Sequence, residues 1–158
     1  MKRILFVCLG NICRSPTAHG VLETLTKQRG LSHLIQVDSA GTAAYHVGNP
    51  PDARSARVAK QQGYPLDHLR ARQVERNDFQ QFDYILAMDD ANLMALQQLC
   101  PSDYAGYLGR FLEFTELKET EVPDPYYGGA DGFEHVLALV VSAANGLLDH
   151  LQQELAKS

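Results

Sequence analysis

Three cysteines in 158 residues is a small and odd count. It excludes a disulfide framework and points to a reducing cytoplasm. No stretch approaches the ~18 consecutive apolar residues of a transmembrane helix. Met1-Lys2-Arg3 leads straight into an apolar run too short for a signal peptide. Positive charge is also scarce. Fourteen Lys and Arg face nineteen Asp and Glu, for a net charge of -5. That balance argues against a general nucleic-acid or acidic-membrane binder, while a local basic funnel remains compatible with it. The six histidines show no metal-ligand spacing. Internal repeats, low-complexity tracts and a second-domain boundary are missing as well. We therefore read residues 1–158 as one domain long enough for a sizeable core.

What is present is concentrated near the start. Ile4-Leu5-Phe6-Val7 is an unbroken apolar run, the pattern of a strand covered on both faces. Ser15 suits a helix N-cap and Pro16 the first helical position. Between them lies Cys8-Leu9-Gly10-Asn11-Ile12-Cys13-Arg14. Strand, tight loop and helix start bring backbone N–H groups together at a helix N-terminus, a geometry that binds oxyanions such as phosphate. Leu9, Gly10, Asn11, Ile12, Cys13, Arg14 and Ser15 are thus candidate phosphate-binding residues. Gly10 allows close backbone approach, and Asn11 tolerates a left-handed conformation. A cysteine alone is most often a small buried residue. Cys-x5-Arg followed by Ser-Pro is a different matter. Converging dipoles and Arg14 are expected to lower the Cys8 thiol pKa and make it a nucleophile at neutral pH. The Arg14 fork can hold two oxygens of one phosphoryl group.

Further along, the spacing predicts a helix ending near Gly30 and a strand over residues 34–38, with a turn at Ser39. A helix capped by Asp52 stops at Gly63, and a strand follows over 83–88. Asp89 or Asp90 then starts a helix that Pro101 ends, and a fourth strand is expected around Leu108 to Phe114. A long loop spans Glu116 to Asp131. Phe133, Val136, Leu137, Val140, Val141, Ala144, Leu147, Leu148, Leu151 and Leu155 form one helical stripe. Alternating strands and helices imply an α/β domain with a parallel sheet covered on both faces. Cys8, Ser39 and Asp89 each follow a strand, so they share its carboxyl edge, where sites in such folds lie. Cys100 reads as a core residue.

Cys8-Leu9-Gly10-Asn11-Ile12-Cys13-Arg14-Ser15-Pro16 resembles the signature loop of the low-molecular-weight protein tyrosine phosphatases. Their second signature is matched by Asp124-Pro125-Tyr126-Tyr127, and the resemblance runs over essentially the whole chain. It implies a four-stranded parallel sheet and hydrolysis of phosphotyrosine through a phosphocysteine on Cys8, with inorganic phosphate as product. Arg14 would hold the phosphate and Asp124 would be general acid and then base. Asp124 between two prolines reads otherwise as turn chemistry. Tyr45, Tyr126 and Tyr127 would line the substrate cleft. Asn11, Ser15, Ser39 and His68 would brace the loop by hydrogen bonds. Cys8 and Cys13 would form a protective disulfide on oxidation. No metal and no cofactor is expected, because Arg14 and backbone amides supply the charge stabilisation. Small members of the family are commonly monomers. One departure stands out: His19 occupies a position where the family usually has Glu, and a local change in stability or electrostatics is expected there.

Three alternatives compete. Related phosphatases acting on phosphoarginine tend to carry Thr where this chain has Ile12, and an apolar Ile12 favours an aryl substrate. An arsenate reductase needs a further cysteine pair, which Cys13 and the lone Cys100 do not supply. A silent anion-binding or redox-sensing module would have no need to keep Cys8, Arg14 and Asp124 together.

Overall fold

A computed structural model describes residues 1–125 and 131–157. Tyr126 and Tyr127 lie outside the described residues. The element order is β1 (Lys2–Cys8), α1 (Arg14–Gln28), β2 (Ile35–Gly41), α2 (Ala53–Gln61), α3 (Asp78–Gln81) and β3 (Tyr84–Ala87). After these come α4 (Asp90–Leu99), β4 (Tyr107–Arg110), a 3-10 turn (Phe111–Phe114) and α5 (Gly132–Lys157). All neighbouring strands pair in parallel, in the order β2-β1-β3-β4.

Strand β1 shows why its apolar run is unbroken. Side chains alternate between sheet faces. Ile4, Phe6 and Cys8 join the larger core with α1 and α5. Leu5 and Val7 join a second core with Ile85, Ala87, Phe79 and Leu96. Both faces are covered, so no polar alternation survives. Phe6 meets Phe111 edge-on at 4.8 Å between ring centroids, which ties β1 to the 3-10 turn.

The predicted stripe on α5 faces the larger core. Val140, Ala144, Leu147, Leu148 and Leu151 are fully buried, while Val141 and Leu155 pack at its margin. Cys100 is half-buried at the edge of the second core. The fourth strand is shorter than the sequence suggests. Hydrogen-bonded pairing stops at Arg110, and Phe111–Phe114 curl into a 3-10 turn that buries Phe111 and Leu112. The apolar run continued beyond the strand because the turn is also buried.

The start of α1 differs as well. The helix begins at Arg14, with Cys13 at the N-cap position and no side-chain cap. Pro16 is still in the first turn, where a missing N–H costs nothing. Ser15 does not cap the helix; its hydroxyl is drawn into the loop.

Candidate active site

Strand order places β1 between β2 and β3, and chains leaving β1 and β3 diverge at their carboxyl ends. A crevice opens there. The loop after β1 is curled so that four carbonyls point outward. Cys8 and Leu9 accept from the N–H groups of Thr42 and Ala43, both at 2.9 Å. Ile12 accepts from Asp52 at 2.7 Å and Cys13 from Thr17 at 3.3 Å. Four carbonyls of the segment from Cys8 to Cys13 are thus tied to β2's exit, to the start of α2 and to α1.

Two side chains hold this shape. Asn11 takes a left-handed backbone with φ of 58°. Its carboxamide receives the backbone N–H of Arg72 at 3.0 Å and donates to Ser15 Oγ at 2.7 Å. Ser15 Oγ lies 3.0 Å from Cys8 Sγ and 3.4 Å from the Ala40 carbonyl. Gly41 completes the brace from β2, since a Cβ there would sit 2.7 Å from the Leu9 carbonyl. Gly10 serves a neighbour: a Cβ on it would meet the His46 ring at 2.9 Å.

Arg14 is buried, with 3% of its side chain exposed. A buried guanidinium needs a carboxylate, and Asp89 supplies it at 2.6 Å. The Val122 carbonyl accepts a second bond at 3.1 Å, and Asp124 Oδ2 lies 3.7 Å away. Burial works against the Arg14 charge, but the neighbouring Cys8 sulfur and the two aspartates outweigh it and push its pKa up. The second Asp89 oxygen accepts from Asn92 N–H at 2.7 Å, so one residue caps α4 and orients Arg14. The sequence marked Asp89 only as a helix cap at the right edge. A buried arginine in the adjacent loop was the signal that it had a second duty.

The segment carrying Asp124 is docked beside β3. Val122 N–H donates to the Met88 carbonyl at 2.7 Å, and Asp90 N–H donates to Glu121 at 2.8 Å. The resulting cleft of about 330 Å³ is lined by Cys8, Leu9, Gly10, Ile12, Cys13, Arg14, Tyr45, His46 and Asp124. Tyr45, 77% exposed, stands at the mouth. His46 was not anticipated; its place beside Tyr45 and against Gly10 puts it in the wall. Cys13 is buried, and burial chiefly pushes its thiol up to about 12.

Ser39 is buried, and its hydroxyl bonds His19 Nδ1 at 2.9 Å. His68 does not reach the loop. It is half exposed and bonds Glu23 at 2.8 Å, because α1 interposes His19 and Glu23 between it and the loop's support. Among the described residues no group of three or more metal-ligating side chains occurs, and no helix is long and apolar enough to cross a membrane.

The site thus joins a cysteine and a pinned arginine to an aspartate across one cleft, at the carboxyl edge of the parallel sheet of an α/β protein. The family model described as low molecular weight phosphotyrosine protein phosphatase matches residues 3–157, and the chain belongs to that family of hydrolases. It is 41% identical to the low molecular weight protein-tyrosine-phosphatase of Streptomyces coelicolor, over 97% of this chain and 95% of that protein. A crystal structure of protein tyrosine phosphatase from Entamoeba histolytica, with Hepes in the active site, matches with a TM-score of 0.93. Its identity is 41%, over 98% of this chain and 99% of that one. The structure of a Drosophila arginine phosphatase matches with a TM-score of 0.86 at 36% identity, over 96% of this chain and 98% of that one.

Proposed function

We propose that the protein hydrolyses phosphotyrosine in proteins by double displacement, without a metal. The observation that carries this reading is the convergence of Cys8, Arg14 and Asp124 on one cleft. The Cys8 sulfur attacks phosphorus as the P–O ester bond breaks. Asp124, 32% exposed on the cleft side, gives its proton to the departing phenolate. Water then attacks phosphorus and hands a proton to the Asp124 carboxylate. The P–S bond breaks, Cys8 is restored as thiolate and inorganic phosphate leaves. Arg14 and the loop amides carry the charge on the equatorial oxygens. The Ser15 hydroxyl donates to sulfur as it leaves phosphorus.

Leu9, Ile12 and Tyr45 offer an apolar wall for an aromatic ring. Phosphoarginine is the competing substrate, since one structural relative is named for that activity. The apolar Ile12 at the cleft favours the aryl ester over a guanidinium. Cys13 would attack a Cys8 sulfenic acid to form the protective disulfide, releasing water. Its raised pKa keeps it a thiol in the resting protein, so this step is slow. We assign the protein to the cytoplasm and to a monomeric state.

The test is hydrolysis of phosphotyrosine in EDTA with reductant, comparing wild type with Cys8→Ser. The reading requires turnover in the wild type alone. Turnover of phosphoarginine but not phosphotyrosine would replace the substrate and keep the mechanism.

A further inference from the structure

His19 is 7% exposed, sits in the second turn of α1 and plays no part in the chemistry above. Its Nδ1 lies 2.9 Å from Ser39 Oγ, and its Nε2 lies 3.5 Å from Glu23 Oε2. The other Glu23 oxygen takes Nε2 of His68 at 2.8 Å. Glu23 is partly buried, which would raise its pKa, yet the two imidazoles hold it down at about 2. As a carboxylate it can only accept. A hydrogen on the His19 Nε2 that faces it would leave Nδ1 of the neutral ring bare, to accept from the Ser39 hydroxyl. Adding a proton makes Nδ1 a donor, reverses that bond and places a positive charge behind the loop.

The connection to the loop is short. Ser39 precedes Ala40, whose carbonyl faces Ser15 Oγ at 3.4 Å, and Ser15 touches Cys8. Residues 42 and 43 hold the Cys8 and Leu9 carbonyls. The ionisable groups around His19 are Glu23 on its own helix and His68 behind it. From β2, Asp38 holds the Ser39 N–H at 2.8 Å and pairs with Arg72 at 3.0 Å.

We propose that His19 is a positioning residue whose protonation is coupled to the presence of a phosphate anion in the loop. The proposal rests on the reading of that loop as the phosphate site. By linkage the effect is reciprocal: if the His19 proton favours bound anion, bound anion favours the His19 proton. The experiment is an NMR titration of the histidine side chains of the wild type, with and without saturating inorganic phosphate. The expected results are the Nε2–H tautomer for neutral His19 and an upward shift of its midpoint when phosphate is bound. A shift of about half a pH unit corresponds to a roughly threefold change in phosphate affinity. His19→Gln, which keeps hydrogen bonding without titrating, should lose that part of the pH dependence of phosphate binding. An Nδ1–H tautomer, or an unmoved midpoint with phosphate demonstrably bound, overturns the coupling. Failure of phosphate to perturb the Cys8 and Arg14 signals overturns the anion-loop reading instead, and the coupling with it.

Discussion

Asp89 lies 2.6 Å from the Arg14 guanidinium, and it anchors α4 with its second oxygen. Removing the charge while keeping the shape isolates the first duty. Asp89→Asn should leave the fold intact and lower kcat/KM by about tenfold to a hundredfold, the loss expected when one charge-assisted bond is weakened. Unchanged kinetics would mean that Arg14 needs no orienting partner. Asp124→Ala should lower kcat by about 10²–10⁴-fold for aryl esters with poor leaving groups, the usual contribution of a general acid. For activated esters the loss should be small. Hydrolysis of phosphotyrosine at the wild-type rate would remove Asp124 from the mechanism. At this scale the sequence was informative where a residue type is bound to its chemistry, as for Cys8, Arg14 and Asn11. It was silent where the role comes from a neighbour brought in by the fold, as for Asp89 and His46. For Ser15 the sequence offered two duties, a helix end and a brace for the loop, and the curl of the loop selects the second, against the Cys8 sulfur.

Helix α5 and the 3-10 turn approach so closely that Gly146 has no alternative. A Cβ there would collide with the Phe114 carbonyl. Alanine in a helix interior is ordinarily better than glycine by about 1 kcal/mol. Gly146→Ala should reverse that sign and lower Tm, because the clash is with backbone and cannot be relieved by a rotamer. A raised Tm would show that the turn yields. Leu147→Ala, in the fully buried stripe, should cost about 2–5 kcal/mol in denaturant unfolding. The stripe and the doubly covered β1 were legible because periodicity reports which faces are buried. The end of β4 was not. Burial alone cannot distinguish a strand from the turn that follows it when both feed one core, and the change at Arg110 is set by hydrogen bonding with β3.

Across the whole molecule, the arrangement of helices around one parallel sheet gathers Cys8, Arg14, Ser39 and Asp89 at a single edge, far apart though they are in sequence. The same packing leaves Glu23 clasped between two histidines. The two imidazoles hold its carboxyl at about 2, well below the ordinary 4.5. A depressed carboxylate contributes stability above its unfolded pKa, and that contribution is lost as pH falls toward the folded value. Acid unfolding should therefore weaken the wild type between about pH 4.5 and 2, and Glu23→Gln should flatten the profile in that window. An identical profile in the variant would mean that the clasp persists in the unfolded chain. The central claim concerns the bond formed at Cys8. Acid quenching of the enzyme during phosphotyrosine turnover, followed by peptide mass spectrometry, should find one phosphoryl group on the peptide holding Cys8. It should be absent from Cys8→Ser. Turnover with no phosphorylated Cys8 peptide, under conditions that preserve phosphocysteine, would contradict the account.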